Sequence, residues 1–314
     1  MDLDLVYLYV NANDEDWLNK RKQYSMDGSN QSCRFRDNGE FRFSLRSVEK
    51  YASWIRKIYI VTNSAMPEWF NAGNGKVCVV PHEEIMPTEI LPCYNSNVIE
   101  SYIHKIPGLS EVFLYMNDDN FFGDYVTPDF FVRDGKPIVR MVKAQFAPTT
   151  YYKTALCNAN QLMEQHFGVK YELMPWHNVD TFSVTEMENC KEEFRVAFDE
   201  AKHKRLRTDG DIQKAIFQYY MIYRNTCSLV EYTRHHGLRN VWDYLLKIMF
   251  PRKYHDYMLV LMPGFANYRR THLELFRKPK AACINDSEDT TPEHAKKYRE
   301  LMNKAFPKKS SFEK

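Results

Sequence analysis

The chain has 314 residues, 44% hydrophobic and 27% charged, with 43 Lys and Arg against 41 Asp and Glu and a formal net charge of +2. That length buries a real core, and an aromatic content of 15% excludes a disordered chain. The near-neutral balance argues against nucleic acid as a partner, and no apolar run approaches the roughly 18 residues of a membrane span.

The opening, from Met1 to Tyr7, alternates acidic and apolar residues, unlike a secretory leader, which starts basic and turns uniformly apolar. A cytoplasmic protein without a transmembrane segment is expected, an organisation compatible with peripheral membrane association. The seven cysteines are widely spaced and contain no Cys-x-x-Cys pair, so neither a zinc knuckle nor a thioredoxin-like site can be argued.

Leu3 to Val10, Lys57 to Thr62, Lys76 to Val80 and Glu111 to Met116 are short, mostly apolar runs, as in strands buried on both faces of a sheet. Between them, Phe41, Leu45, Val48 and Ala52 make one helical face behind the capping candidates Asp37 and Asn38. A second helix is expected from Ser96 to Lys105, stopping before Pro107-Gly108. Alternating strands and helices predict an α/β fold with a Rossmann-like, mostly parallel sheet over residues 1–144.

From about Gln145 the pattern turns helical. Thr208 and Asp211 read as a capping box before Ile212, Ile216, Tyr219 and Tyr223. Residues 145–280 are therefore expected to be a mainly helical insertion. Residues 281–314 should return to the catalytic layer as a strand, Ala281 to Ile284, and a helix capped by Thr290 and Glu293 with Pro292 in its first turn. The basic tail from Lys304 to Lys314 is read as a solvated helix end.

His-Glu-x-x-His, Gly-x-Ser-x-Gly and Gly-x-Gly-x-x-Gly are absent, and Gly73-Asn-Gly-Lys76 lacks the rest of a phosphate loop. What remains sits at strand ends. Asn117-Asp118-Asp119 follows the fourth strand, where open α/β sheets bind ligands, and paired carboxylates suit Mg²⁺ or Mn²⁺. A plain turn is the alternative. Asn11 and Asp14 follow the first strand, as a helix cap or as nucleotide contacts. Arg34, Arg36, Arg42 and Arg46 form a basic cluster, suited either to phosphate oxygens or to a solvated helix face. Arg207 precedes the expected Thr208 cap. His177, in the non-periodic Met174-Pro-Trp-His177, is either a structural histidine or a base.

These blocks, in this order, resemble the Stealth family of hexose-1-phosphate transferases, which build bacterial capsular polysaccharide and include the catalytic core of the lysosomal-enzyme N-acetylglucosamine-1-phosphotransferase. The resemblance rests on Asp4 to Asp14 with Trp17, then on the long block from Arg34 to Tyr51. It continues through Leu91 to Asn97, Ile106 to Glu111 and Tyr115 to Asp119. Met174 to His177, Arg207 with Asp211, and Cys283 to Asp286 complete it. Asn11-Ala12 stands where the family commonly has Asp-Gly, and Trp176 separates Pro175 from the histidine that usually follows it directly.

The resemblance implies a glycosyltransferase-A-like sheet, a UDP-sugar donor (UDP-N-acetylglucosamine favoured), a glycan acceptor, and transfer of sugar-1-phosphate with release of UMP. It gives Asp119, Arg207 and His177 catalytic roles, and Asp118, Asp119 and Asp286 the Mg²⁺ or Mn²⁺ ion. Asn11, Asp14, Arg36, Arg42, Arg46, Asn95 and Asn117 become the expected substrate contacts. The rivals are a metal-dependent glycosyltransferase that releases UDP and a non-catalytic binder of sugar nucleotides or glycans.

Overall fold

The apolar runs of the first half fold as strands because each offers side chains to both faces of one sheet. The structure is a computed structural model that describes residues 2–24, 32–233, 256–267 and 278–314. In chain order, β1 (Asp4–Leu8) leads to α1 (Glu15–Lys22) and α2 (Glu40–Tyr51), then β2 (Ile58–Val61), β3 (Val77–Val80) and α3 (Ser96–Glu100). β4 (Val112–Asn117), β5 (Asn120–Phe122), β6 (Val132–Arg133) and β7 (Lys136–Lys143) follow, then α4 (Tyr151–Phe167) and β8 (Leu173–Pro175). Next come β9 (Asp180–Ser183), α5 (Val184–Glu193), α6 (Arg195–Ala201), α7 (Ala215–Tyr223) and β10 (Ser228–Thr233). The last are β11 (Tyr257–Leu261), α8 (Met262–Asn267), β12 (Ala281–Asn285) and α9 (Pro292–Ala305).

The central sheet has the order β3-β2-β1-β4-β9, with the first four strands parallel and β9 antiparallel to β4. Side chains alternate between two cores. Leu5, Tyr7, Ile58, Ile60 and Leu114 join α2 and α9 on one face. Val6, Tyr59, Val61, Phe113 and Tyr115 join α4, α5 and α7 on the other. Burying each such aliphatic or aromatic side chain stabilises the fold by about 1.5–3 kcal/mol. Because β2 and β4 flank β1 on opposite sides, the chain reverses direction across the sheet at β1. A cleft forms at such a switch point, outside the carboxyl ends of the strands.

The expected α/β class with a mostly parallel sheet is what the chain adopts. The segment from 145 to 280, of which 234–255 and 268–277 lie outside the described residues, is interwoven with the sheets rather than set apart as a helical layer. Its four-residue β9 is wholly buried and closes the central sheet. β10 and β8 flank β7, and β11 lies beside β12 in a third sheet with β5.

Several local expectations shift. Asp37 does not cap α2, whose N-cap is Gly39 at φ 89°; its carboxylate accepts from the Gly39 N–H at 2.7 Å instead. Thr208 does bond Asp211 (Oγ1 to Oδ1, 3.0 Å), yet the helix begins only at Ala215, because the intervening residues bury their side chains before the chain turns. α9 is capped one residue later than expected, by Thr291 with His294 returning the bond. The basic tail is docked rather than solvated, with Phe312 only 2% exposed.

Candidate active site

The acidic end of the cleft follows from the β4–β5 turn. Asp118 and Asp119 are the two turn residues, and Asn120 Oδ1 accepts from the Asn117 N–H at 2.9 Å to close it. The Asp119 carbonyl accepts from the Ile284 N–H at 3.1 Å, which fastens the turn to β12. Burial holds both carboxyls well above the usual carboxylate range, and at Asp118 the Asp119 charge adds to the effect. Glu40, at the start of α2, is pushed up to about 7 by burial, with Asp118 contributing and bonds from Asn38 opposing.

Asp119 Oδ1 is buried with no hydrogen-bond partner, while Oδ2 accepts from the Cys283 thiol at 3.6 Å. A buried oxygen left unpaired beside like charges is a site that a divalent cation would complete, and Asp118 and Asp119 fit such an ion. Among the described residues no three His, Cys, Asp or Glu side chains converge into a ready-made cage. The two aspartates would therefore share the ion with substrate oxygens, as Mg²⁺ sites on phosphates commonly do. Asp286, expected as a third ligand, is instead gripped by Arg36, whose Nε and Nη2 donate to Oδ2 and Oδ1 at 2.8 and 3.1 Å. Arg36 lines the cleft in this paired form.

The same cleft has a basic wall. Arg34 and Arg207 both lie over the Tyr151 ring, at 5.8 and 5.5 Å from its centroid. Among the described residues no carboxylate lies within ion-pair distance of either. Burial first, then the Arg207 charge, lowers the pKa of Arg34 and of Arg21. Asn95 positions this wall rather than facing the cleft. It caps α3, and its Nδ2 donates to the Leu206 carbonyl at 3.1 Å and to Asp211 at 2.8 Å. Asp211 also accepts from the Tyr151 hydroxyl, and Arg207 Nη2 donates to Ser96 Oγ at 2.6 Å.

Other expected contacts are placed elsewhere. Arg46 makes a two-point pair with Glu313 at 2.7 and 2.8 Å and donates to the Phe306 carbonyl, so it anchors the C-terminal tail. Arg42 approaches the same Glu313 at 3.7 Å and covers the Trp69 ring. Asn11 fastens the loop at 64–65 through bonds with Ser64 and Ala65. Asp14 caps α1 and accepts from the Ala65 N–H at 2.6 Å.

His177 adopts a left-handed φ of 58°, a conformation unusual for a non-glycine residue. Trp176 is 1% exposed and stacks on Tyr232, and the histidine that follows is not itself among the residues lining the cleft. Its Nε2 lies 3.4 Å from Asn285 Nδ2, and Asn285 lines the cleft. Burial, aided by the charge of Lys214, pushes the imidazole down to about 4, against the opposing charge of Asp180. Lys214 and Asp180 themselves form a buried pair at 3.1 Å.

The cleft has a volume of about 670 Å³ and includes Asn117, Asp118, Asp119, Asp286, Arg36 and Arg207 among the expected residues. It also brings in Glu100, Arg21 and Tyr151, which sequence reasoning had not selected. Glu100 is buried and within 2.7 Å of the Tyr115 hydroxyl, itself 3.1 Å from Asn117 Oδ1. Its only sequence signal was its place in the Ser96 helix.

Comparison with known proteins bears on this arrangement. Residues 34–139 match the region described as Stealth protein CR2, conserved region 2. The chain is 32% identical over its whole length to the exopolysaccharide phosphotransferase cps2G of Lactiplantibacillus plantarum, of which it covers 96%. It is 29% identical, again over its whole length, to the capsular polysaccharide phosphotransferase SacB of Neisseria meningitidis serogroup A, spanning 57% of that protein. Among solved structures, the glycosyltransferase GlyE of Streptococcus pneumoniae TIGR4 is similar over 97% of this chain and 60% of its own, with 10% identity and a TM-score of 0.43. With one relative 32% identical across the entire chain and the conserved region running from Arg34 to Val139, the chain belongs to the Stealth family of bacterial polysaccharide phosphotransferases.

Proposed function

We propose that this protein transfers sugar-1-phosphate from a UDP-sugar, with UDP-N-acetylglucosamine as the favoured donor, to a hydroxyl of a growing capsular or exocellular glycan in the cytoplasm. The observation that carries the reading is the charge layout of the cleft. Arg34 and Arg207, held on Tyr151 without carboxylate partners among the described residues, share one cleft with a carboxylate pair that has an unfilled oxygen. Such a site suits a pyrophosphate bridged to a divalent cation.

Asp118 and Asp119 would hold Mg²⁺ or Mn²⁺, which when bound offsets charge on the pyrophosphate oxygens. Arg34 and Arg207 bind the phosphoryl oxygens as charge develops on them. The acceptor hydroxyl oxygen bonds to the β-phosphorus, the bond from that phosphorus to the bridging oxygen breaks, and UMP departs. His177 is neutral above about pH 4 and takes the hydroxyl proton at Nε2, beside Asn285. The anomeric bond is untouched.

The names of the relatives support phosphotransfer over glycosyl transfer. The test is incubation with a panel of nucleotide sugars, a glycan acceptor and Mg²⁺, with identification of the nucleotide released. UMP supports the proposal. UDP contradicts it.

A further inference from the structure

The far end of the same cleft has a different chemistry. β1, β2, β3 and β4 are parallel, so their carboxyl ends share one edge, and His82 follows β3 just as Asp118 follows β4. With neighbouring strands about 4.8 Å apart, the two residues stand three spacings, or about 14 Å, from each other along that edge. Both line one cleft. The lining of that cleft also includes apolar and aromatic side chains: Leu8 at the end of β1, Val10 just beyond it, and Trp17 and Tyr94, whose rings meet edge-on at 5.3 Å between centroids.

His82 is only 4% exposed, and its backbone N–H is already used by Asn63 Oδ1 at 2.7 Å. Among the described residues neither ring nitrogen has a hydrogen-bond partner, and Nδ1 is buried in that state. Burial also pushes the imidazole down to about 4, so at neutral pH the ring carries one N–H donor and one lone pair and no charge. An uncharged polar edge in a cleft lined in part by apolar and aromatic side chains suits a flat heterocycle. The anion-binding apparatus about three strands away suits the phosphates attached to it.

We infer that His82 reads the base edge of the nucleotide donor, making it a specificity-determining residue at the end of the cleft opposite the chemistry. The inference rests on the nucleotide-sugar reading above. A nucleoside diphosphate laid along the sheet edge would place its base against His82. Its phosphates would then lie between Arg207 and the Asp118–Asp119 turn.

The test is calorimetric binding of UDP, CDP, ADP, GDP and inorganic pyrophosphate, each with Mg²⁺, to the wild type and to His82→Phe. The phenyl ring keeps the shape and removes both nitrogens. Loss of one neutral hydrogen bond should weaken UDP roughly three- to tenfold and narrow its margin over the other nucleotides, with pyrophosphate affinity unchanged. Should the phenylalanine disturb folding, monitored by near-UV circular dichroism, His82→Ala carries the same comparison. Unchanged UDP affinity in a folded variant overturns the role of His82 while leaving the donor reading standing. Equal weakening of UDP and pyrophosphate overturns it too, because the loss would then be structural. A wild type that binds pyrophosphate but none of the four nucleotides overturns the donor reading and this inference together.

Discussion

Arg36 and Asp286 meet at two points, with Nε to Oδ2 at 2.8 Å and Nη2 to Oδ1 at 3.1 Å, across 250 residues of chain. The pair ties the segment before α2 to the loop after β12, and the Ser287 and Thr290 carbonyls accept further bonds from the same guanidinium. Both carboxylate oxygens are thereby occupied. Asp286→Asn should lower stability by about 1–3 kcal/mol, the scale of losing a charge-assisted pair that is partly screened. The Mg²⁺ concentration for half-maximal activity should not move. Chemical denaturation and a Mg²⁺ titration of activity check the two halves, and a tenfold rise in that concentration would make Asp286 a ligand after all.

Asp118 and Asp119 are held together against their mutual repulsion, with Glu40 close by. Removing one charge should relieve that strain while destroying the site. Asp118→Asn and Asp119→Asn are each expected to melt higher than the wild type in EDTA, by an amount corresponding to about 1 kcal/mol, and to lose at least a hundredfold in kcat. Mg²⁺ should raise the melting temperature of the wild type and not of the variants. Thermal melts with and without Mg²⁺ decide it. Full activity of Asp119→Asn in chelator would remove the metal from the account.

His177 offers a pH test. Its imidazole is pushed down to about 4 by burial and by Lys214, so the free enzyme keeps it neutral through the range where an ordinary histidine would protonate. At saturating Mg²⁺, kcat/KM should stay level down to about pH 5 with no inflection near 6.5, since that ratio reports the free enzyme. His177→Ala should lower kcat by a hundredfold or more and leave the donor KM nearly unchanged. Unaltered kcat would make the histidine structural.

The sheet was readable in the chain because strands buried on both faces must be mostly apolar, as Ile58–Val61 is and as β4 is from Val112 to Met116. Edge strands obey this less well. β3 is half-exposed, and its alternation is blurred accordingly. Asp118 and Asp119 were readable for a related reason, since polar residues directly after a buried strand fall at the sheet's carboxyl edge. Arg42 and Arg46 show the limit. Helical spacing places them on one side of α2, but their partner Glu313 lies 267 residues from Arg46, and no local pattern announces it. The same limit hid Tyr151, and with it which arginine of the cluster from 34 to 46 would join Arg207 on one ring. That arrangement depends on Asp211 holding the Tyr151 hydroxyl, a contact made only in the folded chain.

Acid should weaken the fold through His104, which is buried in the turn after α3. Burial, with Lys191 and Lys105 adding like charge, pushes it from 6.5 to about 3. The unfolded chain takes up that proton near pH 6.5 and the folded chain only near 3, so the unfolded state binds more protons between those values. The stabilising contribution is therefore fully present above pH 6.5 and is lost progressively as pH falls. By pH 5 the loss from this group alone is about 2 kcal/mol. Glu40, raised to about 7, works in the opposite direction, so the effect is isolated by difference. Denaturation of the wild type and His104→Gln at pH 7.5 and pH 5 should show a smaller acid loss in the variant. Equal losses would mean that His104 protonates without penalty.

The bond that breaks decides the whole account. Attack at the β-phosphorus leaves phosphorus in the product, and attack at the anomeric carbon does not. The most direct measurement is ³¹P NMR of the purified glycan product, alongside chromatography of the released nucleotide, after reaction with a UDP-sugar and Mg²⁺. The account predicts a phosphodiester resonance in the glycan, stoichiometric UMP, and the donor's anomeric configuration retained. A phosphorus-free glycoside with UDP released would contradict it.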